Sequence, residues 1–403
     1  MRINAKQLLA IAVSCLALAG CGGGGSGTTQ PGAPGGSGNG GTQQPGGNGG
    51  SGNGGTQQSG GNGGSGNGGT PTPPPPANPI SMNIYAGTDY HNEPIVVVYI
   101  NGQPVKMLLD TGASGVLVNQ GAVNLSQTAY TSQTFSVTYG DGTVASGTVA
   151  IATVCPTSST VGCVTMPVAV NSYTSGYNAA FSSTGERQGD FGMDCGYNTQ
   201  GGSNAFCYLY YLWQQNPSYS SYSLSFSAPS NTFYYTPSTT TPIGTITYGS
   251  FSANNLINYP PDVLTANAVY GNSLTVPTIF DTGSSAIFLS RSTLQSEIPN
   301  FSTSSDENGC GVSAEVQGGT NLYYQIPYTN SNSVFSTTFT TEPTSDMCSV
   351  FANSPLILEG LTIDLNATGY STNLDSFGLP EMVRHSYIWI LGNNGMVQYV
   401  GVE

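Results

Sequence analysis

Two segments of the chain carry residues suited to acid–base chemistry. Val105–Val118 contains Asp110-Thr111-Gly112-Ala113-Ser114, and Val276–Leu289 contains Asp281-Thr282-Gly283-Ser284-Ser285. Each reads as an apolar strand, a sharp polar turn and a second apolar strand. The Gly permits a tight turn, the Asp stands where the first strand ends, and the Thr hydroxyl can tie the turn to neighbouring backbone. Carboxylates brought within hydrogen-bond range cannot both ionise cheaply, so such a pair holds one proton between them. The ionised member can then take a proton from water while the protonated one polarises a carbonyl, which is the chemistry of amide hydrolysis.

Two such turns need two frameworks, and the surrounding sequence supplies short apolar runs separated by Gly, Asn, Ser, Thr and Pro. Ile95–Ile100 is strand-like, and Asn101-Gly102 predicts a tight hairpin turn into Val105–Leu109. Comparable runs lie at Phe135–Tyr139, Val144–Ile151, Tyr222–Phe226, Thr245–Tyr248, Thr278–Phe280 and Tyr387–Leu391. No long stretch shows an apolar period of 3.6, and Ser292–Ile298 is the one short helix expected. The expected body is mostly β, with two related lobes facing each other across a cleft.

The paired turns resemble the Asp-Thr-Gly signatures of pepsin-like aspartic peptidases, in which each lobe contributes one catalytic Asp. The resemblance implies Asp110 and Asp281 as the catalytic pair, with Thr111, Gly112, Thr282, Gly283 and Ser284 supporting the loops. Phe135–Gly147 looks like the flap hairpin of that family, which makes Tyr139, Gly140 and Asp141 the substrate-covering residues. Trp389-Ile390-Leu391-Gly392 resembles the apolar-apolar-Gly segment that supports the second loop, and Asp190–Asp194 is an incomplete counterpart for the first. Ala113 stands where many members have Ser, and Leu117 where they often have Trp. Implied together are a bilobal pepsin-like acid protease fold, an extended polypeptide substrate, a single-chain monomeric enzyme, and no metal or cofactor. The rival reading is a non-catalytic binding lipoprotein on the same scaffold, since a fold does not guarantee activity.

Outside the paired turns the chain reads as an exported, tethered protein. Arg2 and Lys6 precede an apolar stretch, Leu8–Leu18, too short to span a bilayer, and Leu18-Ala19-Gly20-Cys21 resembles a bacterial lipobox. Residues 1–20 are therefore expected to be a signal peptide, and Cys21 a lipidated residue anchored to a membrane at a periplasmic or cell-surface face. Residues 21–78 form the tether: Gly-rich, with a 14-residue unit at 43–56 repeated at 57–70, then a polyproline spacer. As a flexible coil it spans about 40 Å. The lobes are expected at 79–230 and 231–403.

Six cysteines remain beyond Cys15 and Cys21. Proximity suggests Cys155–Cys163 and Cys195–Cys207, leaving Cys310–Cys348, which resembles the loop-closing bridge of the second lobe. All 20 acidic residues lie in the body, against four of the 6 bases. So acidic a body excludes electrostatic binding of nucleic acid and disfavours attraction to anionic headgroups, leaving the lipid anchor as the sole membrane contact. His91 and His385 are isolated in sequence and read as surface or structural residues.

A Ser at position 113 would give the ionised pair one more hydroxyl donor and stabilise the anion. Ala113→Ser is therefore expected to move the acid limb of the pH–rate profile to lower pH; an unshifted limb would refute this reading of position 113.

Overall fold

The computed structural model describes residues 78–87, 93–138, 144–175, 183–185, 187–195, 206–227, 238–259, 262–267, 273–283, 287–289, 321–340, 362–364 and 375–403. Expectations for Cys21, the tether, Tyr139, Gly140, Asp141, Ser284, the 292–298 helix, Cys310 and Cys348 lie outside the described residues.

The described chain is mostly β. β1 (Ile80–Ala86) shows why: Ile80, Met82, Ile84 and Ala86 alternate inward while Ser81 and Asn83 face solvent, the period-2 pattern of a half-buried strand. β2 (Pro94–Ile100) turns into β3 (Gln103–Asp110) through Asn101 and Gly102, whose φ of 49° and 77° make the left-handed turn anticipated from the Asn-Gly pair. β4 (Ser114–Asn119) leaves the Asp110 turn. The hairpin β5 (Tyr130–Thr138) and β6 (Val144–Cys155) follows, and then β7 (Val164–Ser175) and the wholly buried β8 (Gly189–Met193). After helix α1 (Tyr208–Gln215) come β9 (Ser221–Phe226), β10 (Ser238–Gly249) and β11 (Leu256–Asn258).

The remaining strands are β12 (Asp262–Asn267), β13 (Ser273–Phe280), β14 (Ile287–Leu289), β15 (Asn321–Pro327), β16 (Val334–Thr340), β17 (Thr362–Asp364) and β18 (Asp375–Phe377). Helix α2 (Leu379–Met382) leads to β19 (Tyr387–Leu391) and β20 (Val397–Val402).

Two sheets result. The first runs β11-β20-β19-β9-β10-β1-β2-β3-β8-β4-β7-β6-β5, and the second β16-β15-β12-β13-β18-β14-β17. The first sheet does not break near residue 230: β9 pairs with β10 on one side and with β19 on the other, so late strands complete a ladder begun by early ones. Among the described residues no helix is long and apolar enough to cross a membrane.

Each Asp-Thr-Gly turn is carried by the same local arrangement. β8 pairs parallel with β3 (Leu109 opposite Phe191, Asp110 opposite Gly192) and antiparallel with β4. In the second sheet β18 pairs parallel with β13 (Phe280 opposite Phe377) and antiparallel with β14. The Asp190–Asp194 segment therefore does support the first loop. The expectation for Trp389–Gly392 is corrected: the strand under the second loop is β18, continuing into Gly378. β19 cannot serve there because both its edges are hydrogen-bonded, to β9 and to β20.

Trp389 has a different task. It is 1% exposed and stacks on Tyr222 with ring centroids 4.9 Å apart. It lies midway in a chain of touching rings that runs Phe191, Tyr208, Tyr248, Tyr222, Trp389, Tyr387, Phe280, Phe377. The two ends of that chain are the support strands β8 and β18. The helix α1 was not anticipated, because Tyr-Leu-Tyr-Tyr-Leu-Trp has the composition of a strand; Tyr208, Leu209 and Leu212 make its buried face. Trp389→Ala is expected to cost about 3–5 kcal/mol in urea unfolding; a cost below about 1 kcal/mol would contradict its place in the core.

Candidate active site

Asp110 and Asp281 are both fully buried, each at the end of an apolar strand. Within each turn the Gly two residues on bonds back to the carboxylate: Gly112 N–H donates to Asp110 Oδ1 at 2.7 Å, and Gly283 N–H to Asp281 Oδ1 at 2.8 Å. Asp281 is held from behind as well, its N–H donating to Phe377 O at 2.8 Å.

The threonines join the two turns. Thr111 Oγ1 donates to Phe280 O at 2.7 Å and accepts from Thr282 N–H at 3.0 Å. Thr282 Oγ1 donates to Leu109 O at 2.6 Å and accepts from Thr111 N–H at 3.0 Å. Four hydrogen bonds thus cross between the turns with two-fold likeness, all buried. Each hydroxyl acts as donor and acceptor together, a role that an aliphatic side chain of the same shape cannot fill.

This crossing sets the carboxylates against each other. A Cβ on Gly112 would lie 2.5 Å from Asp281 Cγ, and one on Gly283 would lie 2.5 Å from Asp110 Cγ. Each Gly backbone therefore runs directly beneath the opposite carboxylate, and a side chain at either position would displace it. Asp110 Oδ2 is buried without a donor, although a hydrogen bond between the two Asp side chains raises the Asp110 pKa. These observations agree once one proton sits between the two acids: two bare carboxylates offer acceptors only, whereas a protonated one becomes a donor. Burial, then the charge of Asp281 and the hydrogen bond with it, hold Asp110 well above the usual carboxylate range. The Gly112 N–H and the charge of Arg187 pull it the other way.

Sequence reasoning passed over Arg187 and its partner Glu93. They form a buried ion pair at 3.2 Å behind the first loop. Arg187 is one of only four bases in the body, but nothing in the sequence marks it as buried or pairs it with Glu93.

The first loop also has a covalent brace. Cys195–Cys207 ties the end of β8 to the start of α1, and Cys155–Cys163 closes the turn between β6 and β7, both as proximity suggested. The first bridge keeps Phe206 against the loop: Val116 N–H donates to Phe206 O at 3.1 Å, while Asp194 N–H donates to Ala113 O at 2.9 Å. Gly115, at φ +95°, lies against the Phe206 side chain. Phe206, Ala113 and Val137 pack on a small cluster of Leu108, Leu117, Phe135, Ala145, Val149 and Ala169, which seats the β5–β6 hairpin over the strand leading to Asp110. Val116, by contrast, belongs to the main core.

Residues 96–175 match the family described as "gag-polyprotein putative aspartyl protease". The chain carries an aspartyl protease-like domain. No curated protein matches the chain. The aspartyl protease-like stretch holds most of β2 and all of β3 through β7, with the Asp110 turn and the described parts of the hairpin that follows it. Asp281 lies 106 residues beyond its end, and the fold brings it there.

Thr111→Val leaves Thr282 N–H and Phe280 O without partners in a buried site. It is expected to cost about 2–4 kcal/mol in chemical unfolding, with Thr111→Ser restoring most of it. Equal stability of the Val and Ser variants would show that the crossing bonds contribute little.

Proposed function

We propose that the chain is a two-lobed, pepsin-like aspartic endopeptidase in which Asp110 and Asp281 activate water against a peptide carbonyl. The observation that carries this reading is the reciprocal seating of each Gly beneath the other turn's carboxylate, which makes one buried pair out of two distant segments. A pair sharing a proton has both required functions. The ionised member accepts a proton from the attacking water, and the protonated member donates a hydrogen bond to the carbonyl oxygen as it becomes an oxyanion. The proton then passes to the amide nitrogen, the C–N bond breaks, and the amine leaves. The proton taken from water is the one handed to nitrogen, so the pair ends with one proton as it began.

Both carboxylates come from one chain, which supports a monomeric enzyme. The substrate is a polypeptide in extended form, laid between the pair and the β5–β6 hairpin, with Tyr139, Gly140 and Asp141 closing over it. In this reading the catalytic chain is exported and held at a membrane by lipid on Cys21, with residues 21–78 giving it reach. The lobes correspond to 79–230 and 231–403, sharing the first sheet between them.

Asp110→Asn and Asp281→Asn should each abolish hydrolysis of a denatured protein substrate between pH 3 and 7 while leaving the fold intact by circular dichroism. A statine-type peptide, which mimics the tetrahedral intermediate, should inhibit the wild type. Hydrolysis by the Asn variants at the wild-type rate would remove the enzymatic reading and leave a binding protein on this scaffold.

A further inference from the structure

Glu381 is a fully buried carboxyl group that the proposed reaction does not use. It sits on α2, which begins immediately after Phe377 and Gly378. Tyr387 OH donates to its Oε1 at 3.0 Å and Thr337 Oγ1 to its Oε2 at 3.1 Å, so one acid joins α2, β16 and β19. Tyr387 OH also reaches Glu381 O at 3.4 Å, so when Oε1 is protonated that hydroxyl can turn to the carbonyl and accept the acid's proton. Other charged or titratable groups around it are His385, whose Nε2 lies 3.7 Å from Oε1, and Arg384. The Arg384 guanidinium donates to Thr337 Oγ1 at 3.4 Å and to Thr338 O at 2.8 Å. Burial pushes Glu381 up to about 7, although Arg384 and the Tyr387 and Thr337 hydroxyls pull it down. Burial and the charge of Arg384 hold His385 below its ordinary value, so the 3.7 Å contact is no strong ion pair near neutrality.

Two short routes run from this acid to the second Asp-Thr-Gly turn. Along the backbone, Glu381 N–H donates to Gly378 O at 3.0 Å, and the preceding residue, Phe377, accepts the N–H of Asp281. Through side chains, the Tyr387 ring packs on Phe280 at 5.2 Å, and Phe280 O receives the Thr111 hydroxyl. We propose that Glu381 is a positioning residue for Asp281: as the neutral acid it closes the joint of α2, β16 and β19 behind the second loop, and as a carboxylate it loosens that joint. Its bearing on catalysis rests on the peptidase reading given above; its effect on the loop does not.

The sign follows from proton linkage. Below the ordinary value of 4.5 Glu381 is protonated whether the joint is closed or open, and pH has no effect through it. Between 4.5 and about 7 the open form ionises while the closed form keeps its proton, so closure weakens as pH rises. Above about 7 both forms are ionised and the loss is complete.

Hydrogen exchange of the peptide covering residues 278–283, corrected for intrinsic rates, tests this on the full chain. Between pH 5 and 7.5 wild-type protection should fall by about fiftyfold, since opening gains from ionisation across most of that window. Glu381→Gln should be flat over the same range. Thr337→Val, which removes a hydrogen bond favouring the carboxylate, should move the midpoint to higher pH. Wild-type protection that ignores pH, or an equal fall in Glu381→Gln, overturns the proposal. Peptide hydrolysis on the same samples judges the enzymatic reading separately: a protection shift without hydrolysis supports the Glu381 coupling and removes the peptidase.

Discussion

The two Asp-Thr-Gly turns meet through an exchange of threonine hydroxyls, and the rest of the site depends on it. Each hydroxyl gives its proton to a carbonyl at the base of the opposite strand and takes the N–H of the opposite Thr. Both threonines are fully buried, where an unmet polar group is costly, so the crossing is strongly preferred to any separated arrangement. It fixes the turns at a separation that only Gly can tolerate at positions 112 and 283. The close approach of the carboxyl groups then follows, and it adds to burial, the larger cause, in holding the Asp110 pKa up. The facing of the two carboxyl groups is thus a result of how the threonines are satisfied.

Around that symmetric centre the two supports differ. The first loop is backed by a covalent bridge, Cys195–Cys207, and by the buried Arg187–Glu93 pair, whose cation favours the ionised form of Asp110. The second is backed by α2, with Glu381 held among hydroxyls and no bridge among the described residues near it. One side is stiffened by a bond indifferent to acidity, and the other by a group that titrates. Between them runs the chain of aromatic rings from Phe191 to Phe377, which packs the two support strands into one core.

Much of this was legible in the residues. The Asn101-Gly102 turn, the alternating strands and both described disulfides follow from local chemistry, because hairpin turns and short Cys spacings are decided within a few residues. The paired turns were legible because their motif is nearly identical twice. What escaped was decided at long range. Phe377-Gly378 supports the second loop with one bulky residue before its Gly, so the more apolar Trp389–Gly392 drew attention instead. Only the pairing of β19 with β9 and β20 shows that its edges are occupied. Glu93, Arg187 and Glu381 look like ordinary surface charges in sequence, since burial of a charge leaves no periodic trace. Helix α1 was hidden by its tyrosines, whose strand preference gave way to burial beside β7 and β8.

The first sheet is assembled out of chain order, and that has a kinetic consequence. β1 finds its partner in β10, with Ile80 opposite Tyr248, and β9 acquires its second neighbour only when Trp389 lies opposite Tyr222. Loops of well over a hundred residues must close before these pairings return any free energy, which places the chain among slow, high-contact-order folders. While the chain is being made, the early strands wait, edges bare, for the late ones to emerge. A chain in that position is exposed to mispairing for as long as synthesis lasts, and it is a natural client for whatever shields unpaired strands in that interval.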